Sequence, residues 1–479
     1  MYTTTQITVT LGDGIGPEII NASLRVLAEA GAGIEAEQVD IGEAAYRNGH
    51  SSGVSPAAWE SMRRTRTLLK APTSTPRGGR LKSAALSIRK ALDLYANVRP
   101  CISYHPWVPS RHPSMNLVLI HENEEDLYAG IEYRQVWDVA QCSKLVTRDG
   151  CERMIRYAFE YAIRTNRRKL SCFTKSNILK MTDGMFLEVF ETVGSDYPLV
   201  EKEHRIVDVG FANLATRPED FEVIALSSVY GDILSDIAAQ LSGSVGMAAS
   251  AAIGNEIAMF EAIHGSAPKH AGRNTANPSG MLLAALTMLA HVGKPEVAEL
   301  VHRAWLRTLE DGLHTRDISN SETTREIVGT AEFADAVIAR LGQQPRLPDL
   351  PLPPILPRPP QSPVSNLMES GERRTIGVDL FIDWPFATLG ELPQLLQRAQ
   401  PEGLSLQTIF NRGIKVWPDG FEETHCVNHW SARFLVQRDD HMTRRQPILL
   451  LERLNDITLD VVRIEWLYNF GDVAGYYED

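Results

Sequence analysis

Short apolar runs alternate along the first part of the chain with longer segments in which apolar residues recur every three to four places. ITVTL (7–11) precedes a helical pattern over Pro17–Ala30, and RTLLKAP (66–72) precedes one over Ser83–Leu92. MNLVLIHE (115–122) leads on to Gly150–Thr165, KLSCFTK (169–175) to Thr182–Glu191, and FEVIALS (221–227) to Asp232–Leu241. Strand-like and helix-like segments in alternation predict an α/β fold, and two lobes around a cleft suit the length. Pro278–Ala290 is apolar on every side and reads as a buried helix. Prolines then supply about half of Pro345–Pro363. Such a stretch predicts an extended, semi-rigid linker, with a ligand for a partner's aromatic groove as the alternative. Beyond it the pattern changes to β-α-β-β-β-α-β, a small α+β module.

Composition narrows the function classes. With 479 residues, 43% hydrophobic and 23% charged, the chain resembles ordinary globular proteins. The longest apolar run, Gly280–Ala290, is too short to span a membrane, and an N-terminus that runs directly into ITVTL predicts no signal peptide. A net charge of −12 argues against nucleic acid as a partner. Cys101, Cys142, Cys151, Cys172 and Cys426 are scattered without a C-x-x-C pair, which predicts reduced thiols and a cytoplasmic location. His425, Cys426 and His429 lie close together, but no second ligand pair follows at a zinc-finger spacing, so zinc is disfavoured there. Trp384, Trp417, Trp430 and Trp466 sit singly among strand residues and read as packing.

Several motifs carry possible chemistry. GDGIGPE (12–18) lies between a strand and a helix, but Pro17 stands where a dinucleotide fingerprint needs its third glycine. The residues alone predict a tight turn with Pro17 in the first helical turn. Asp232 and Asp236 would stack on one helix face; the residues alone favour a helix cap at Asp232, with a hard divalent cation as the sharper alternative. Ser83, Arg89 and Arg99 are the right types to grip a di- or tricarboxylate. The acidic run in HENEEDLYAGIE (121–132) would ordinarily be a solvated face.

Taken in order, GDGIGPE, LLKAPTSTP, KSAALSIRK, LYANVRP, ENEEDLYAGIE, TKSNILK, YGDILSD and FEAIHGSAPKHAGRNTANP resemble the isocitrate and isopropylmalate dehydrogenases, which are β-decarboxylating dehydrogenases. The resemblance covers about residues 6–340. Ile376–Phe381 and Asn411–Pro418 further resemble the extra C-terminal domain of a bacterial isocitrate dehydrogenase subgroup. It implies a large α/β domain (1–94 and 243–340), a small domain with a dimer clasp (95–242), a linker (341–371) and a C-terminal α+β domain (372–479). A ten-stranded type of sheet and a homodimer with shared active sites are implied too.

By the same resemblance Tyr128 is the proton donor and Lys175 the base from the neighbouring subunit. Asp208, Asp232 and Asp236 are the carboxylates for Mg²⁺ or Mn²⁺. Ser83, Ala85, Arg89, Arg99, His121 and Asn177 stand at substrate positions, and Ser74, His264, Gly265, Lys269, His270 and Asn277 at cofactor positions. The implied reaction oxidises a hydroxy acid at C2, loses CO₂ with the cation as Lewis acid, and protonates the resulting enolate from Tyr128. Lys269 would attract a 2′-phosphate where NAD-using relatives carry an acid, so NADP is favoured over NAD, although His270 replaces the tyrosine common in NADP enzymes.

Two positions depart from the pattern. Ala85 replaces an asparagine of the isocitrate branch, and His121 replaces a third substrate arginine. Losing such a contact costs about 2 kcal/mol or more where the ligand carboxylate stays unpaired. Three readings follow: an isocitrate dehydrogenase with a reorganised pocket and a protonated His121; a paralogue for an isocitrate analogue such as homoisocitrate or the phosphonate phosphonomethylmalate; or a non-catalytic assembly or regulatory subunit. The retained Tyr128, Lys175 and three aspartates argue against the last.

Overall fold

The computed structural model describes residues 4–76, 81–346, 372–386, 388–421, 423–437 and 440–477. Most of the proline-rich stretch predicted as a linker lies outside the described residues. The chain forms two compact units, one of Met1–Ala129 with Lys144–Ser362, the other of Gly130–Ser143 with Pro363–Asp479. The segment 130–143, expected with the small domain, thus groups with the C-terminal module.

In chain order, the strands of the first unit begin with Thr5–Thr10 (β1), Ile34–Gln38 (β2), Thr67–Lys70 (β3), Ala96–Ile102 (β4) and Asn116–Glu122 (β5). Asp126–Val136 (β6) and Val139–Leu145 (β7), most of whose residues belong to the second unit, form a separate two-stranded sheet. Then come Lys169–Thr174 (β8), Glu201–Ile206 (β9), Val223–Leu226 (β10), Ala249–Ile253 (β11) and Ala258–Ala262 (β12), followed by the short Leu313–His314 (β13) and Glu326–Ile327 (β14). Ten of these make one sheet in the order β2-β1-β3-β12-β11-β4-β5-β10-β8-β9. It is parallel except at β11, which runs antiparallel to both β12 and β4, and at the β4–β5 pair. Strands β3 and β10, TLLK and VIAL, are buried throughout, as expected where both faces of a parallel sheet are covered.

The predicted buried helix is Ser279–His291, inaccessible from Ser279 to Leu289. The GDGIGPE turn has its predicted form, with Pro17 in the first turn of the helix Gly16–Glu29. Gly14 has φ +59°, and a Cβ there would lie 1.9 Å from the Ser266 carbonyl oxygen. The turn therefore needs glycine for conformation and for close approach to the 264–266 loop.

The second unit's six-stranded sheet comprises Arg373–Asp383 (β15), Leu404–Asn411 (β16), Ile414–Trp417 (β17), His429–Val436 (β18), Asp460–Phe470 (β19) and Val473–Ala474 (β20). Helices Leu392–Ala399 and Arg445–Asp456 complete the predicted β-α-β-β-β-α-β order, to which the structure adds β20. Val378, Leu380, Ile382, Trp430, Ala432 and Phe434 form a core with Leu392, Leu396, Leu450 and Leu454 of those helices.

Candidate active site

A cavity of about 300 Å³ opens in the first unit where β3, β4 and β12 end or pass beside the helices Ala84–Ala91 and Ser228–Ser242. Ser83, Ala85, Arg89, Arg99, Tyr128, Asp232, His264 and Gly265 line it, so the structure brings together eight of the residues singled out in the sequence. Each is positioned for a local reason. Ser83 is the N-cap of Ala84–Ala91, its Oγ accepting from the Leu86 amide, which sets the helix's first turn against the cavity. Arg89 lies in the last turn of the same helix and Arg99 in the middle of β4.

Asp232 is not a helix cap. The helix starts at Ser228 after Ser227, placing Asp232 inside it with its carboxylate turned to the cavity. Arg99 donates to Oδ1 at 2.8 Å and the Tyr128 hydroxyl to Oδ2 at 2.7 Å. Burial works against its charge, but Arg99 and the Tyr128 bond outweigh it and hold the pKa down to about 2. Burial and the bond to the Asp232 carboxylate push the Tyr128 phenol up, so the hydroxyl keeps its proton. Asp236, one turn on, has no hydrogen-bond or ion-pair partner among the described residues. Burial raises its pKa above the ordinary carboxylate value. Two hard carboxylates one turn apart suit a divalent cation as part of a larger ligand set.

The third expected metal carboxylate is elsewhere. Asp208 sits in the first turn of the helix Val207–Thr216, exposed and paired with Lys175, and neither residue lines the cavity. Asn177 is exposed in the loop after β8. Among the described residues no three acidic, histidine or cysteine side chains gather in a metal-binding cluster. Within one chain Tyr128 and Asp232, with Asp236 one turn on, thus stand apart from the pair Lys175 and Asp208.

His121 departs from the expected protonated substrate ligand. It is fully buried, lies against Gly231 and does not line the cavity. Its Nδ1 is 2.6 Å from the Glu122 carbonyl oxygen, and its Nε2 is buried without a partner. Burial, with the Arg99 cation beside it, pushes its pKa down to about 3, so the ring is neutral.

Nor is the acidic run after it a solvated face. His121, Glu122, Asn123 and Asp126 are buried, and Glu122 Oε1 accepts from the amides of Glu124 and Glu125 at 2.6 and 2.9 Å. Burial raises the Glu122 pKa to about 7. The folded chain therefore holds a proton between about pH 4.5 and 7 that the unfolded chain releases, and stability falls as pH rises through that window. Glu124 beside it is raised in the same sense, to about 8, so Glu122→Gln is expected to reduce that slope by one group's share, which urea unfolding at pH 5 and pH 8 would measure; an unchanged slope would show that Glu122 is not one of its sources.

Sequence reasoning missed two residues central to the cavity. Lys70 ends β3 and Glu261 lies directly opposite it in the parallel pair with β12. Lys70 Nζ is 2.6 Å from Glu261 Oε2, and Arg89 reaches Oε1 at 2.8 Å, all three side chains nearly inaccessible. Against burial, the two cations hold the Glu261 carboxyl well below the usual range. The available signal was a charge at the same register in two neighbouring apolar strands, LLK and MFE.

Of the expected cofactor positions, only His264 and Gly265 line the cavity. Ser74 Oγ is 2.8 Å from Ser266 Oγ, and its amide donates to Asp13. Lys269 and His270 are exposed in the turn Pro268–His270. Glu18 accepts from the Gly272 and Asn274 amides, fixing the far end of that loop to the first helix. Asn277 is buried and donates to Asp317 at 3.0 Å.

Comparison with known proteins gives a consistent result. Residues 6–337 match the model of the isocitrate/isopropylmalate dehydrogenases, and residues 373–479 that of the bacterial isocitrate dehydrogenase C-terminal domain. The chain is 44% identical to an isocitrate dehydrogenase [NADP] of Rickettsia felis, over 98% of both chains. It is 41% identical to one of Thermus thermophilus, over 96% of this chain and 92% of that one. A crystal structure of the TT0538 protein of Thermus thermophilus superposes with a TM-score of 0.95 at 38% identity, covering 100% of this chain and 97% of that one.

Proposed function

Since the chain belongs to the isocitrate/isopropylmalate dehydrogenase family and carries its bacterial C-terminal domain, we propose that it oxidatively decarboxylates isocitrate to a 2-oxo acid and CO₂ with NADP⁺ and Mg²⁺ or Mn²⁺. The observation that carries this reading is the wall formed by Arg89, Arg99, Tyr128 and Asp232, which offers two guanidinium forks, a protonated phenol and a metal-ready carboxylate to one small cavity. The names of the relatives favour isocitrate over an analogue despite Ala85 and His121.

In this reading Arg89 and Arg99 bind substrate carboxylates, and Ser83 holds the distal one. When bound, the nicotinamide would accept the hydride and the cation would polarise the new keto oxygen. Asp232 and Asp236 would hold that cation together with Asp208 of a second copy. Tyr128 delivers its proton to carbon after CO₂ has left, and its raised pKa keeps that proton available at neutral pH. Lys175, ion-paired with Asp208 in the single chain, would take the hydroxyl proton in its neutral form once the cation claims that carboxylate.

NADP⁺ reduction with Mg²⁺ and isocitrate, set beside homoisocitrate and isopropylmalate, tests the reading. Robust turnover of isocitrate supports it; turnover of another acid with none of isocitrate would overturn it. Two half-sites also give a sharp expectation for a homodimer. Tyr128→Phe and Lys175→Met chains are each expected to be nearly inactive. After refolding together in equal amounts they should recover about a quarter of the native activity, because half the dimers are mixed and each has one intact site. No recovery would place both residues in one chain's site. For the cofactor, Lys269→Asp should lower kcat/KM for NADP⁺ relative to NAD⁺ by about 10- to 100-fold, the worth of one charge-assisted bond. An unchanged ratio would remove Lys269 from recognition of the phosphate.

A further inference from the structure

Lys144, near the end of β7, is a cation that the proposed reaction does not use, and its side chain is only 14% accessible. Its ammonium group faces two buried carboxylates and a ring. Nζ is 2.5 Å from Asp183 Oδ1 and 3.4 Å from Asp126 Oδ1, both of these side chains 3% accessible, and it lies 5.1 Å from the centre of the Tyr230 ring. Two anions at that depth would be costly without the lysine between them. Burial works against the Lys144 charge, yet the Asp183 bond and the Asp126 carboxylate outweigh it and its pKa is raised.

Each carboxylate spends its other oxygen on the backbone of a segment that serves the proposed site. Asp126 Oδ2 accepts from the Val229 amide at 3.1 Å, in the first turn of Ser228–Ser242, the helix that carries Asp232 and Asp236. Asp126 itself lies two residues before Tyr128 on β6, and Tyr230 two residues before Asp232. Asp183 Oδ2 accepts from the Lys175 amide at 2.6 Å. One cation thus joins the segments that present Tyr128 and Asp232 to the segment that presents Lys175, although the two groups stand apart.

We propose that Lys144 is a positioning residue for both groups, setting Tyr128 and Asp232 through Asp126 and setting Lys175 through Asp183. The proposal rests on the reading that each active site takes Tyr128 from one copy of the chain and Lys175 from another. On that reading one lysine in each chain serves both active sites of a dimer while acting only through its neighbours.

Asp126→Asn and Asp183→Asn test it, because an amide accepts through only one oxygen and each variant must give up one of its two bonds. Asparagine also suits the backbone at Asp126, where φ is +59°. Each homodimer is expected to lose about 10²-fold in kcat, as for a shift of about 1 Å at a reacting group. Refolded together in equal amounts, the two chains should recover about a quarter of the native activity, since every mixed dimer has one site with both arms intact. Lys144→Met, which cuts both arms in one chain, should recover nothing with either. Near-native turnover of either aspartate variant would overturn the proposal, and recovery of Lys144→Met with one of them would confine the lysine to a single arm and overturn it too. So would an inactive mixture of the aspartate variants while Tyr128→Phe and Lys175→Met complement each other. If those two also fail, the shared-site reading is overturned and the role of Lys144 with it.

Discussion

Asp232→Asn is expected to lower kcat by about 10²- to 10³-fold, the range for removing a preorganised electrostatic group. One atom changes, yet three functions depend on it. Arg99 loses the charge that holds its guanidinium in place, Tyr128 loses the acceptor that orients its hydroxyl, and the divalent cation proposed above would lose an anionic ligand. Asparagine is as good an N-cap as aspartate, so a residue that merely capped its helix would tolerate the change. Steady-state turnover should therefore be measured beside the affinity for Mn²⁺ followed by electron paramagnetic resonance. Loss of both with an unchanged circular dichroism spectrum is the expected result. Near-native turnover would return Asp232 to a structural role.

Glu261→Gln should act mainly on stability. Among the described residues the carboxylate is the one anion paired with two nearly inaccessible cations, Lys70 and Arg89. Breaking one partner of such a buried group costs about 3–5 kcal/mol, because the remaining charges are left uncompensated. Its lowered pKa gives the pH dependence: the contribution is complete above about pH 4.5, the unfolded value, and is lost as the pH falls through the folded value. Thermal unfolding of Glu261→Gln at pH 7 would show a large drop in Tm. Adding Lys70→Met to Glu261→Gln should recover part of that loss, since it removes one stranded charge. If the double variant is no more stable than the single one, the pair is not the source of the effect.

Much of this was legible in the sequence because several signals agreed. The buried helix Ser279–His291, the Pro17 turn and the order of elements in the C-terminal module follow from periodicity and turn chemistry. Arg99, Tyr128 and Asp232 lie far apart in sequence, and their meeting came from resemblance; no local pattern predicts it. Local reasoning failed where tertiary context reversed a residue's usual role. A run of Glu124, Glu125 and Asp126 reads as solvated, yet its turn is buried around the amide bonds to Glu122. A histidine replacing an arginine reads as a substitute cation, yet the space it occupies is closed and next to Arg99, so it is neutral. Lys70 and Glu261 were hidden because a charge inside an apolar strand is interpretable only once its neighbour in the sheet is known.

That pairing also has a consequence for how the molecule is made. Lys70 and Glu261 are separated by 191 residues, and β3 cannot gain β12 as its neighbour until the ribosome has passed Ala262. At about 5–20 residues per second, the interval between the two strands is about 10–40 s. Throughout that time the apolar LLK strand carries a lysine with no counter-ion and has an open edge beside β1. Lys70 thus stays hydrated until its partner strand is made, and its charge guards that edge against pairing with another nascent chain.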